Sequence, residues 1–306
     1  MRAVIVGLLM GGAEIVPGVS GGTIAFISGI YERLVNAIKH FTPVLFIELR
    51  KKGIKAVWVS TDATFLTLLF AAMGVAIVIF ANAISYLLQH EPVGLWSFFF
   101  GLVLASCWVV SRDTDLKALQ TYLFLGSGVV VGLVITHLDP LEIEPTYIAL
   151  FAGGMVAVCA WILPGISGSF ILLILGLYAF VVEAIKSADL LSLLALGAGC
   201  AIGLVSFSHA LSALFANFRN ATLALLTGFM MGSLAKLWPW KNTLSYHLKS
   251  DGGQIPLIQE PILPSTYELL TQQSADITTA GLAVLFGVVL VIGLDWFAKK
   301  SDVQQA

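Results

Sequence analysis

The chain has 306 residues, of which 58% are hydrophobic and 11% charged, with a formal net charge of −2. Apolar segments able to cross a hydrocarbon core of about 30 Å recur along most of its length, which excludes soluble domains and predicts one membrane domain, 1–306. No basic block suggests a nucleic acid partner. Cys107, Cys159 and Cys200 lie in apolar segments without metal-ligand spacing and read as small packing residues, so neither metal nor cofactor is implied.

The first apolar stretch, 3–16, lacks a small-residue cleavage site and is not read as a removed signal peptide. It runs into "EIVPGVSGGTIAF", beginning at Glu14. Inside a helix proline costs about 3 kcal/mol and glycine about 1 relative to alanine, so this run ends one helix and starts another, 23–39. A loop over 39–62 carries Lys39, Arg50, Lys51, Lys52 and Lys55. Membrane spans are predicted over 63–89, 94–111 and 121–137. The pattern then returns: an arm over 146–163, the turn "PGISGSF" from Pro164, an arm over 170–186, and spans over 190–215 and 221–237. A long loop, 238–277, precedes the last span, 278–297.

Setting Pro17 on Pro164, an offset of 147 residues (164 − 17), gives 12 identities in the 23 positions from Pro17 to Lys39. Apolar composition explains matched Ile, Val or Ala, but not Pro, Gly, Ser, Gly, Tyr and Lys in register, so the chain contains an internal repeat. A weaker echo sets "FFFGLVLAS" from Phe98 against "GFMMGSLAK" from Gly228. A hairpin that enters and leaves on one side adds no net crossing, and three spans follow it, so the second copy is inverted. The predicted fold is an all-α polytopic membrane protein of two inverted-topology repeats, 1–138 and 146–298. Each is a re-entrant or short helical hairpin with a PGxSG tip, followed by three spans.

The Lys/Arg-rich loop 39–62 is cytoplasmic by the positive-inside rule. "HEPVG" and "HLDPLEIEP" then fall outside, "RDTDLK", "NFRN" and the Lys299–Lys300 end inside, and both termini are cytoplasmic. The long extracytoplasmic loop, with Lys241 and Lys249, is the exception.

Non-helical backbone at membrane depth must be buried in protein or line a wet cavity, which marks the tips as a candidate site. Helix N-termini at Ser20, Gly21, Gly22 and Thr23 and at Ser167, Gly168 and Ser169 present N–H donors and partial positive charge to an anion. In the plainer reading, Ser20 and Ser167 only cap the helices that follow. Gly29 with Tyr31 and Gly176 with Tyr178 read as packing and interface anchors. Glu14, whose counterpart is Trp161, is costly in this setting unless protonated or paired, and is the candidate proton carrier. His209 and Asn82 are assigned to interhelical hydrogen bonds. Arg33, about 15 Å along the helix from Thr23, is a candidate headgroup contact near the cytoplasmic surface, or a partner for Glu32. No embedded Lys or Arg is evident near the tips. There is no HExxH, GxSxG or Walker sequence, and the hydroxyls lack a base, so no enzyme is predicted.

"GGAEIVPGVSGGTIAFISGIYERLV", "ILPGISGSFILLILGLY" and "MGSLAKLWPWK" together resemble the bacterial polyprenyl-phosphate transporter family, from Gly7 to about Lys241 and again in the last span. The resemblance implies translocation of undecaprenyl phosphate from the outer to the inner leaflet of the cytoplasmic membrane, for reuse in envelope and peptidoglycan synthesis. It carries headgroup binding onto Pro17, Gly18, Ser20, Gly21, Gly22 and Thr23, and onto Pro164, Gly165, Ser167, Gly168 and Ser169. Ser169 and Phe170 stand where the first copy has Gly22 and Thr23, so the half-sites are expected to differ. A channel or transporter for a small inorganic anion, and a membrane scaffold using the long loop, remain as alternatives. Self-association is left open.

Overall fold

The computed structural model describes residues 1–16, 19–112, 114–115, 118–138, 140–248 and 254–303; Pro17, Gly18 and Lys249 lie outside the described residues. The chain is a multi-pass membrane protein and almost entirely helical. Among the described residues five helices are long and apolar enough to cross a bilayer, or six when one bent pair counts as a span. In chain order the first half holds α1 Arg2–Glu14, α2 Gly21–Ile27, α3 Tyr31–Ile38, α4 Val44–Ser60, α5 Ala63–His90, α6 Pro92–Ser111 and α7 Leu119–Thr136. The second holds α8 Tyr147–Ile162, α9 Gly168–Ile174, α10 Tyr178–Lys186, α11 Leu190–Leu237, β1 Lys241–Leu248, β2 Gln254–Pro261, α12 Pro264–Thr271 and α13 Ile277–Val303.

The arms after the two turns are broken where continuous helices were expected. Gly29 at φ +67° and Gly176 at φ +72° take the left-handed conformation that ends a helix. Ile30 N–H returns to Ala25 O at 3.1 Å, and Leu177 N–H to Leu172 O at 2.9 Å, closing the last turns of α2 and α9. These glycines are therefore helix stops, not packing anchors, and α10 leaves α9 at 110°. Tyr31, just after the first stop, is buried edge-on against Phe26 and Phe215.

The expected spans 190–215 and 221–237 form one helical element that breaks at Phe218, with φ −138° and ψ 44°. Gly203 lies against Met155 and Gly165 against Ser233. Thirty residues of straight helix would cover about 45 Å, more than residues 155–165 can reach even when extended, so α11 doubles back at Phe218. The loop 238–277 supplies the exception to an all-α chain. The antiparallel ribbon β1–β2 sets Lys241 opposite Pro261, and in β1 Leu244, Tyr246 and Leu248 alternate with polar residues, the period of a strand. The loop 39–62 contains α4, kinked at Gly53 and with no buried residue.

Close-packed glycines place the helices in four side-by-side pairs. Gly7 meets Leu69 and Ala72, and Gly11 meets Met73 and Ala76, so α1 and α5 run parallel. In the same sense α8 lies along the first limb of α11, with Gly154 at Leu196 and Gly203 at Met155. Gly101 meets Val284 where α6 crosses α13, and Gly228 meets Leu125 where the second limb of α11 crosses α7. Gly101 and Gly228 thus hold matching positions, which moves the weak sequence echo by three residues.

Cys159 and Cys200 approach backbone carbonyls of Gly203 and Gly154, and the three cysteines are free. His209 bonds to Val205 O of its own helix, not to a neighbour, because it sits on an exposed face of α11; Asn82 is likewise exposed on α5.

Candidate functional site

The helix start at Ser20–Thr23 meets the second turn and bonds to it. Ser20 caps α2, its Oγ accepting from Gly22 N–H at 3.1 Å, while lying 3.3 Å from Trp161 O and 3.2 Å from Leu163 O across the junction. Gly165 N–H donates to Thr23 Oγ1 at 2.9 Å. A Cβ on Gly22 would fall 2.5 Å from Ile162 O, so only glycine permits this approach. Ser20, Thr23 and Ser167 are all 1% exposed or less, which makes the junction a buried polar patch inside an apolar protein.

Glu14, at the end of α1, accepts from Gly21 N–H at 2.7 Å and is also hydrogen-bonded to the Trp161 side chain. A carboxylate oxygen therefore occupies the donor that a bound anion would use at the first tip. The second tip differs. Ser167 makes no capping bond to α9 and turns instead to Ser169, Oγ to Oγ at 2.8 Å. The two tips thus differ in their hydrogen bonding: a carboxyl and a capping serine at one, a serine pair at the other.

Trp161 links this polar patch to an open apolar groove. Its ring stacks on Phe70 at 6.2 Å, and Phe70 is part of the wall of this groove of about 670 Å³ between α5 and the first limb of α11. Ile38, Phe41, Leu66, Ile202 and Val205 also line it.

Arg33 is not at the tips. It pairs with Asp62 at 2.5 Å and lies 4.3 Å over the Phe65 ring, while Glu32, its expected alternative partner, pairs with Arg219 at 3.0 Å. The expectation that no cation stands near the tips is corrected. Lys236, one turn beyond the Ser233 that touches Gly165, places Nζ 4.6 Å over the ring of Phe170 at the start of α9. Lys241 follows, buried, with Nζ 3.2 Å from the Trp96 ring centre.

A family model described as undecaprenyl phosphate translocase-like matches residues 10–255. The chain belongs to this family. A polyprenyl-phosphate transporter of Vibrio cholerae is 47% identical over 96% of both chains. One of Staphylococcus aureus is 32% identical over 77% of this chain and 85% of its own. No solved structure matches the chain. The family is named for transport, not for an enzymatic reaction, and the matched segment contains both turns, Glu14, Trp161, Lys236 and Lys241.

The lysines are the residues that sequence reasoning missed. Lys236 ends a predicted span and Lys241 opens a loop, positions where lysine ordinarily reaches water. The available signal was Lys241 itself, a positive charge that broke the inside rule, five residues after another lysine and across "LWPW".

Proposed function

We propose that the chain is a flippase for undecaprenyl phosphate, carrying it from the outer to the inner leaflet of the bacterial cytoplasmic membrane for reuse in envelope synthesis. The observation that carries this reading is the contact between two compartments of opposite character. A buried polar junction adjoins, through Trp161 and Phe70, an open apolar groove of about 670 Å³. A polyprenyl phosphate needs both, a small charged head and a long apolar tail; a chloride or phosphate channel needs no such groove.

Residues 1–138 and 146–298 act as inverted repeats whose hairpins enter from opposite faces, with both termini cytoplasmic. The parallel pairing of α1 with α5 supports this, because a hairpin must return to its starting side before the next span can run beside its first arm. The pairing of α8 with α11 supports it in the second half. The headgroup binds at the joined tips, Ser20 to Thr23 and Gly165 to Ser169. Glu14 and the phosphate compete for Gly21 N–H: protonation makes the carboxyl a poorer acceptor and releases the donor, linking headgroup capture to the proton gradient. Rocking of the hairpins about the tips then exposes the site to each side in turn.

The test is translocation of undecaprenyl phosphate in proteoliposomes, with and without a pH gradient, comparing wild type with Ser20→Leu and Ser167→Leu. Loss of transport in folded variants is the expected result. Wild-type transport in both would return the turns to a structural role, and an anion conductance without lipid movement would replace the substrate.

A further inference from the structure

We propose that Lys236 and Lys241 form an anion site on the outer side of the tips that takes a dianionic phosphate monoester, the headgroup of the transported lipid before it reaches the junction. The inference deepens the polyprenyl-phosphate reading and rests on it for the identity of the lipid.

Geometry and charge carry it. Lys241 is 9% exposed, and its Nζ has no hydrogen-bond partner. An ammonium taken out of water without a partner is strongly disfavoured, and buried charges are ordinarily paired. Among the described residues no carboxylate pairs with Lys236 or Lys241. What each has is an aromatic face, Phe170 under Lys236 and Trp96 under Lys241. Cation–π contact holds an ammonium in place without neutralising it. Burial, with the charge of Lys236 added, holds the Lys241 ammonium well below the usual lysine range. Lys236 is near enough to add to the positive field at Lys241, and the arrival of a phosphate monoester, with nearly two negative charges at neutral pH, would favour the charged form of both amines.

The position fits an entry site. Lys236 is half-buried, while Lys241 is buried with its Nζ against the Trp96 ring. Along α11, Ser233 touches the second tip at Gly165, and Lys236 is one turn further toward the outer loop. Trp238 and Trp240 are fixed beyond it, their indole N–H groups donating to Ile262 O and Ala275 O at 2.8 Å each. That anchoring sets the path of the chain between the two lysines. A phosphodiester headgroup, with one charge, would satisfy only half of the pair.

The experiment measures binding of farnesyl monophosphate, farnesol and inorganic phosphate to detergent-purified full chain, by thermal shift and by tryptophan fluorescence. Wild type is compared with Lys236→Met and Lys241→Met. Farnesyl monophosphate should stabilise wild type and bind each variant at least about tenfold more weakly, as expected for loss of a charge-assisted hydrogen bond. Farnesol should bind all three equally. Without ligand the methionine variants should unfold at or above the wild-type temperature, since each removes an unpaired charge; a purely structural lysine predicts a fall. Should Lys241→Met fail to fold, Lys236→Met carries the test alone.

Unchanged farnesyl monophosphate affinity in the variants would overturn the dibasic site and leave the transport reading intact. Binding of inorganic phosphate but not farnesyl monophosphate, lost in the variants, would keep the site and remove the lipid. Binding of neither phosphate by wild type would overturn the site.

Discussion

Glu14 and Trp161 hold equivalent places in the two copies of the turn, and the fold brings them together at the first helix start. A carboxyl that bonds both a backbone N–H and an indole ties the end of α1 to both turns. Glu14→Gln keeps its shape but cannot change charge, so transport in proteoliposomes should lose its response to an imposed pH gradient while the protein stays folded. The serines should separate more sharply than their repeat suggests. Ser20→Ala removes a cap and bonds across the junction, costing about 1–2 kcal/mol of stability, whereas Ser167→Ala loses only its contact with Ser169 and should cost less than about 1. Thermal unfolding in detergent distinguishes them. The repeat was legible at these positions because Pro, Gly and Ser in register have no place in an apolar helix. The pairing of Glu14 with Trp161 was not, since a single sequence gives no distance between the two tips.

At the scale of elements, Gly29 and Gly176 do the same work with different margins. A residue with a Cβ in the left-handed conformation costs about 1 kcal/mol. At Gly29 a Cβ would meet only the end of the Arg2 side chain, at 3.0 Å, while at Gly176 it would strike the backbone carbonyl of Leu141. Gly29→Ala should therefore cost about 1 kcal/mol and Gly176→Ala about 2 or more, read as loss of thermal stability in detergent. The expected spans agree with the helices to within a few residues, because a run of apolar residues bounded by charge is an unambiguous signal. The breaks after Gly29 and Gly176 were hidden by the same signal: apolar residues continue on both sides, and nothing in hydropathy registers a change of direction. The lysines were hidden for another reason. They are held against Phe170 and Trp96, residues far away in the sequence, a tertiary event that the local pattern does not record.

For the molecule as a whole, the groove and the lysines lie at different places: the groove touches Ile38 and Phe41, where α3 gives way to the basic loop, while Lys236 ends α11 and Lys241 opens the ribbon. On the proposed reading, a substrate that crosses engages both. Ala201→Trp, filling the groove wall, should slow transport of long-chain polyprenyl phosphate in proteoliposomes severalfold while leaving farnesyl monophosphate binding near wild type. Equal loss of both would mean that the groove holds the head as well as the tail.

The pairing of α6 with α13 and of α7 with the second limb of α11 joins helices from opposite halves of the chain. Each half therefore lends its final span to the other. During synthesis, the glycine face of α6 waits for its partner until α13 has left the ribosome, so this packing cannot form before nearly all of the described chain has been made. Expressed separately, 1–138 and 140–306 should each be degraded; expressed together, they should reconstitute an active protein.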